Sequence, residues 1–380
     1  MPKIIPDIPR EQIRPDNPIQ YFGFFSRDEV EENKGKLLML DIDFGRYCSL
    51  ECPGCFRKSN VVDDSEEDDL SYDELVSVID DARELGLQSL KICGAGEPTQ
   101  HSQFLQFIQD MTRRDVGVAV FTKGQVLGID REAVRFNRKY GISTARDLCE
   151  RLHDLKVSFM LSFQSFYTEK QDEMVGGIEG HASVRNQALE NLVTAGFNKT
   201  NPTRLALELG PITKDNYDEV FDLYVFARER NIYLIPNFLM VSGKQIDKDF
   251  LDKYDCTDEQ KRDLFMRIYS WNIEHGIHTF EQLKEEGISC MPGIHPCNQI
   301  AVGLYVTAKG NVVSCPGYGG IGDIEGNIRQ ENIRAIWKRS NNRRFRAGMF
   351  NCRCPPKDEI TIPDAMYSEI LIELDKKYRG

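Results

Sequence analysis

Three cysteines fall within eight residues near the front of the chain, as Cys48-Ser-Leu-Glu-Cys52-Pro-Gly-Cys55. Three thiolates on one short loop can converge on a face of an iron–sulfur cube, which leaves the fourth iron open to chemistry. A closed structural zinc site takes four ligands, and the nearest histidines, His101 and His153, lie far off in sequence. A second group, Cys297, Cys315, Cys352 and Cys354, gathers near the end. The chain has eleven cysteines, an odd number, and is too long and too well supplied with apolar residues to need disulfide staples. Metal ligation is the better reading of both groups.

Such loops need a scaffold, and six β-rich runs supply one: 36–43, 89–94, 116–122, 156–163, 203–210 and 232–240. Amphipathic stretches such as YDELVSVIDDARELG separate most of them, the pattern of repeated right-handed β-α units around a parallel sheet. Several runs are apolar on both faces, as strands covered by helices must be. Ser71 with Glu74 predicts a capping box at the start of one helix, after the acidic run DDSEEDD (63–69), read as a solvated loop. Residues 1–35 read as an extended lead-in, 36–243 as the β-α array and 244–290 as a helical bridge. Residues 291–354 form the rear cysteine unit, opening on a hairpin with Lys-Gly-Asn turn chemistry, and 355–380 end in a helix.

The front spacing, on the loop after the first strand of a β-α array, resembles the radical S-adenosylmethionine (SAM) superfamily. Gly94-Ala95-Gly96-Glu97-Pro98, after the second strand, stands where that family carries G-G-E-P. The resemblance implies an α/β fold, a partial (β/α)6 TIM-like barrel, with a [4Fe-4S] cluster held by Cys48, Cys52 and Cys55. It implies SAM contacts from Gly94 to Pro98, with Glu97 at the methionyl ammonium. Further contacts would come from Ser162 at the end of the fourth strand, Gln164 and Ser165 just beyond it, and Arg185 on the following helix for the carboxylate. Asn216, after the fifth strand, and Ser242-Gly243-Lys244, after the sixth, fit more weakly. One departure is Gly54, where many members carry an aromatic; Phe56 is the candidate to shield the cluster or flank the adenine instead. A structural zinc knuckle is the competing reading, and it leaves the GAGEP segment unexplained.

Cys297-x12-Gly310-x4-Cys315, then Cys352 and Cys354, resembles a small C-terminal SPASM or twitch domain, an appendage for auxiliary iron–sulfur clusters. With four cysteines the twitch form with one [4Fe-4S] cluster is expected. Cys352-Arg-Cys354 is tighter than the usual last pair, Cys290 is a reserve ligand, and a zinc ribbon is the alternative. Of the remaining cysteines, Cys93, Cys149, Cys256 and Cys290 read as small hydrophobes. Cys256 and Cys290 are also candidates to donate a hydrogen atom to a substrate radical.

The resemblance implies reductive SAM cleavage and hydrogen-atom abstraction, with a flavodoxin- or ferredoxin-type electron donor. The leading expectation is oxidation or epimerisation of a small molecule such as a sugar. Modification of a ribosomal peptide is the alternative, ranked lower for the short lead-in and the four rear cysteines. A non-catalytic zinc or iron–sulfur protein is the reading of another class. Aromatic strand ends at Phe163, Phe166, Tyr167 and Phe238 are candidates to line the cavity. Sixty acidic against forty-eight basic side chains give −12, which disfavours nucleic acid and anionic lipid. The N-terminus lacks a signal-peptide apolar stretch and no apolar run is long enough to span a bilayer, so a cytoplasmic protein with no membrane partner is expected.

Overall fold

In the computed structural model, described here for residues 2–15, 18–55, 69–240, 242–318 and 324–379, one sheet organises the chain. Its six barrel strands are β1 (Met39–Asp43), β2 (Ser89–Gly94), β3 (Gly117–Thr122), β4 (Ser158–Ser162), β5 (Leu205–Ile212) and β6 (Tyr233–Phe238). They pair in parallel, each with the next, from β1 to β6. All five residues of β1 and of β4 are buried, the signature of strands enclosed on both faces. Five of the six runs identified in the sequence contain one of these strands, and β5 starts within the run 203–210 and goes two residues beyond it.

Helices cover the outside. Ser71 and Glu74 form the reciprocal capping box, and the helix Tyr72–Arg83 that follows buries Leu75, Val78, Ile79 and Ala82 on one stripe. Arg329 binds the same Glu74 carboxylate at 2.7 Å, and the pair of contacts pulls its pKa down to about 2. The lead-in runs along the barrel: the Ile4 amide donates to the Phe166 carbonyl and the Gln20 amide to that of Thr203.

The rear cysteine unit shares the barrel's sheet. Strand β7 (Gly303–Val306) pairs in parallel with β1, and β8 (Asn311–Val313) and β9 (Gly326–Asn327) continue antiparallel from it. The hairpin turns at Gly310, whose φ of +80° suits glycine. Asp43, at the end of β1, accepts from the Ala308 amide at 3.0 Å and ties the hairpin to the first strand. This pairing fixes where the two cysteine groups stand relative to one another.

Inside the barrel, Lys91 and Asp41 form a buried ion pair at 3.2 Å. The Lys91 ammonium also donates to the Phe22 carbonyl and sits over the Phe22 ring. The bridge region forms helices Lys248–Tyr254, Asp258–Glu274 and Phe280–Glu286, and the final helix Asp364–Arg379 is held to the second of them by Arg262 with Glu369 and Glu373. Among the described residues no helix is long and apolar enough to cross a membrane.

Candidate active site

The loop carrying Cys48, Cys52 and Cys55 is held by the GAGEP segment. The Gly96 amide donates to the Gly45 carbonyl at 2.9 Å and the Glu97 amide to that of Tyr47 at 2.8 Å. A Cβ on Gly96 would stand 2.2 Å from the Tyr47 carbonyl oxygen, so only glycine permits this approach. Gln100 clasps Ser49 with both ends of its amide, and Gln245 donates to the Gly54 carbonyl at 2.8 Å. Gly54, in the place of an aromatic, leaves room for Pro211 and Phe250. Phe56 lies outside the described residues, as does most of the acidic run.

One cavity of about 240 Å³ joins the two cysteine groups. Its front wall holds Cys48, Cys52, Cys55, Ala95, Gly96 and Glu97; its rear wall holds Cys290, Cys297, Cys315 and Cys354. The lining also includes Ser162, Gln164, Lys123, Glu208, Asn237 and Lys357. No three His, Cys, Asp or Glu side chains among the described residues converge tightly enough to grip a single metal ion. The thiols are spread around two ends of one cavity, and thiols are the donor set that iron–sulfur clusters take.

The candidate SAM contacts divide. Ala95, Gly96, Glu97, Ser162 and Gln164 line the cavity. The Glu97 carboxylate is occupied locally: Oε1 accepts from Thr99 and Thr122 and Oε2 from the Lys123 amide, which fastens the loop to β3. Gln164 donates to the Gly210 carbonyl and accepts from Gln171. The other residues stand behind this wall. Ser165 donates to Glu219 at 2.8 Å, and Asn216 braces the Thr213 and Gln164 backbones. Arg185 is completely buried, donating to the Ser165 carbonyl, Gln171 and Asn186, and burial pulls its pKa to about 9. Pro98 begins a short 3-10 turn and Gly94 ends β2.

Among the cations that line the cavity, Lys123, which the sequence reading passed over, is the one on which all three front cysteines act. Burial works to lower its pKa, but the charges of Cys52, Glu208, Cys55 and Cys48 outweigh that and raise it. Among the described residues its ammonium makes no hydrogen bond. His181 packs behind it and is held neutral, its pKa drawn to about 4 by burial and by the Lys123 and Arg185 charges.

At the rear, Cys297 precedes the short helix Gln299–Val302, and Cys315 follows β8. Cys290 is buried and shares a hydrogen bond with Cys354, whose thiol that contact and burial push well up. Cys352 does not line the cavity: its sulfur donates to the Met349 carbonyl at 3.4 Å, and burial, with the charge of Cys297, pushes it up to about 12. Cys256 is buried just before the helix Asp258–Glu274, outside the cavity lining, whereas Cys93 lines it. Of the aromatic strand ends, Phe238 lines the cavity; Phe163 and Phe166 pack together in the core.

Comparison with known proteins completes the assignment. The radical SAM superfamily model matches residues 42–227, and that of SPASM, an iron–sulfur cluster-binding domain, matches 297–355. A tungsten-containing aldehyde ferredoxin oxidoreductase cofactor-modifying protein from Pyrococcus furiosus is 31% identical over 346 residues, 87% of this chain and 88% of that protein. Mycofactocin maturase MftC of Mycolicibacterium smegmatis is 25% identical over 77% of this chain and 68% of its own length. Among solved structures, Streptococcus suis SuiB bound to precursor peptide SuiA has a TM-score of 0.55 at 17% identity, over 81% of this chain and 66% of that one. This chain therefore spans just under two thirds of SuiB. Native anSMEcpe with bound AdoMet has a TM-score of 0.59 at 15% identity, over 89% of this chain and 96% of that one. At such identities the structural likeness speaks for the fold alone. The family matches and the Pyrococcus relative together show that this chain belongs to the radical SAM superfamily, with a SPASM domain, and its cofactors are SAM, a SAM-binding [4Fe-4S] cluster and auxiliary iron–sulfur.

Proposed function

We propose that this chain is a peptide-modifying radical SAM enzyme that oxidises a carbon centre of a ribosomally made peptide in the cytoplasm. The observation that carries the reading is the single cavity walled by both cysteine groups, in a chain whose relatives include proteins named as maturases. SuiB, of the same fold, has been solved with its precursor peptide. These likenesses favour a peptide over the oxidation or epimerisation of a small molecule such as a sugar that the sequence suggested.

In this reading Cys48, Cys52 and Cys55 hold the catalytic cluster. When bound, that cluster and SAM supply the 5′-deoxyadenosyl radical. The chain's own residues do the rest. The Ala95-Gly96 backbone forms the wall beside the front thiols, and Ser162 and Gln164 offer polar atoms across from it. Lys123 supplies the cation for the methionyl carboxylate, a charge-assisted contact in a site screened from water. Cys297, Cys315, Cys354 and Cys290 hold the auxiliary cluster, with Cys352 outside the set.

A second reading, service to a metalloenzyme's cofactor, is favoured by the length of the match to the Pyrococcus protein. One experiment separates the two. Anaerobically reconstituted protein is given SAM, a low-potential reductant and, in parallel, the peptides encoded beside its gene or the tungsten cofactor precursor. A mass change in a peptide supports the first reading; turnover of the cofactor precursor alone supports the second.

A further inference from the structure

Of the three carboxylates that line the cavity among the described residues, Asp41 is paired with Lys91 and Glu97 is held by Thr99, Thr122 and the Lys123 amide; Glu208 is the third, and neither the family matches nor the sequence pattern assigns it a role. Glu208 projects from β5. Ser162 on β4 and Asn237 on β6 flank its carboxylate and favour its ionised form, as do the charges of Lys123, just after β3, and Lys357, beyond the rear cysteines. The Lys357 ammonium in turn donates to Asn237. A Cβ on Gly210 would stand 2.2 Å from Glu208 Oε1, so glycine at that position is what leaves room for the carboxylate. All of these side chains line the cavity.

A carboxylate held this firmly, on a wall from which substrate is reached, needs a purpose. Structural pairing is a weak one, since the desolvation of a buried carboxylate offsets much of what its contacts return. We propose that Glu208 is a catalytic residue that takes the proton released when the substrate radical is oxidised. This rests on the peptide-oxidation reading above. The balance is as follows. A substrate C–H bond breaks homolytically and its hydrogen atom joins the 5′-deoxyadenosyl radical, giving 5′-deoxyadenosine. With the auxiliary iron–sulfur cluster bound as one-electron acceptor, the radical electron would pass to it while an N–H, O–H or S–H bond of the group next to or attacking that carbon breaks, its proton going to the Glu208 carboxylate and its electron pair making the new bond to the carbon. The substrate is thereby oxidised by two electrons; the cluster is reduced by one and SAM has been cleaved with one from an external reductant.

Burial raises the Glu208 pKa to about 7, against the opposing pull of Lys123 and Lys357. A base poised near the working pH is well matched to proton transfer. Because the ionised form is the acceptor, turnover should rise with pH up to about 7 and level off above it.

The test compares wild type with Glu208→Gln and Glu208→Asp, each checked for iron content and for SAM affinity by calorimetry. Peptide product and 5′-deoxyadenosine are counted in the same vessel across pH. The expected result is that Glu208→Gln keeps SAM affinity within about two-fold, while product per 5′-deoxyadenosine falls at least ten-fold and the rise toward pH 7 disappears. Glu208→Asp should restore both in part. If Glu208→Gln weakens SAM binding ten-fold and leaves the product ratio unchanged, Glu208 is a SAM anchor and the proposal is overturned; an unchanged ratio and pH profile overturn it too. Failure of wild type to modify any peptide would instead count against the peptide reading.

Discussion

The guanidinium carbon of Arg185 lies 3.3 Å from the centre of the Phe163 ring, and this stacking turns the arginine into the protein rather than toward the cavity. Lys123 is left as the cation facing the front cysteines. Lys123→Met should therefore weaken SAM binding by roughly ten- to a hundred-fold, the loss of one charge-assisted hydrogen bond worth about 1.5–3 kcal/mol. Iron content should stay the same. Arg185→Met should act on the fold, costing about 3 kcal/mol through the acceptors it strands. Calorimetric titration with SAM and a denaturant midpoint separate the two effects; the reverse pattern would return the carboxylate to Arg185.

The front loop depends on the contact of Gly96 with Tyr47. Gly96→Ala places a methyl group where there is no room and should force the cysteine loop away from β2. Loss of 5′-deoxyadenosine formation is expected, as for Cys48→Ala, Cys52→Ala or Cys55→Ala. The cysteine variants should also lose about half of the roughly eight irons of two four-iron clusters. Iron assay and chromatography of the nucleoside products measure both.

Cys290 and Cys352 compete for one place in the auxiliary site. Cys290 shares a hydrogen bond with Cys354 inside the cavity, and Cys352 bonds the Met349 carbonyl outside it. Cys290→Ala should diminish the auxiliary cluster's electron paramagnetic resonance signal while leaving SAM cleavage partly intact. Cys352→Ala should spare the signal. The opposite result would restore the pair of closely spaced rear cysteines as ligands.

The pair of Lys91 and Asp41 is buried in the cavity wall, 3.2 Å apart. Asp41→Asn strands the lysine charge and should cost roughly 3–5 kcal/mol. Urea unfolding of the anaerobic holoprotein gives the number. Exchange of both residues for apolar ones of similar volume should cost much less.

Much of this architecture was legible because its signals are local. Runs such as 156–163 are apolar on both faces and announce enclosed strands, and three thiols in one short loop announce their chemistry by spacing. The pairing of β7 with β1 was not legible, since it joins segments more than two hundred and fifty residues apart with no local mark. Lys123 and Glu208 were missed for another reason. Lys123 follows the end of β3 and Glu208 lies in the middle of β5, each a single polar residue with no partner at a fixed spacing, and only the sheet's strand order brings them to one cavity. Arg185 was the converse: the helix places it near the expected position, but its side chain finds Phe163 first.

The central claim is that one cavity joins SAM cleavage to oxidation of a peptide. It is tested most directly by incubating the reconstituted enzyme with SAM, reductant and the peptides encoded beside its gene, and measuring 5′-deoxyadenosine and peptide mass together. The account predicts a modified peptide formed in step with 5′-deoxyadenosine. Formation of 5′-deoxyadenosine only at the peptide-free rate, with every peptide mass unchanged, would contradict it.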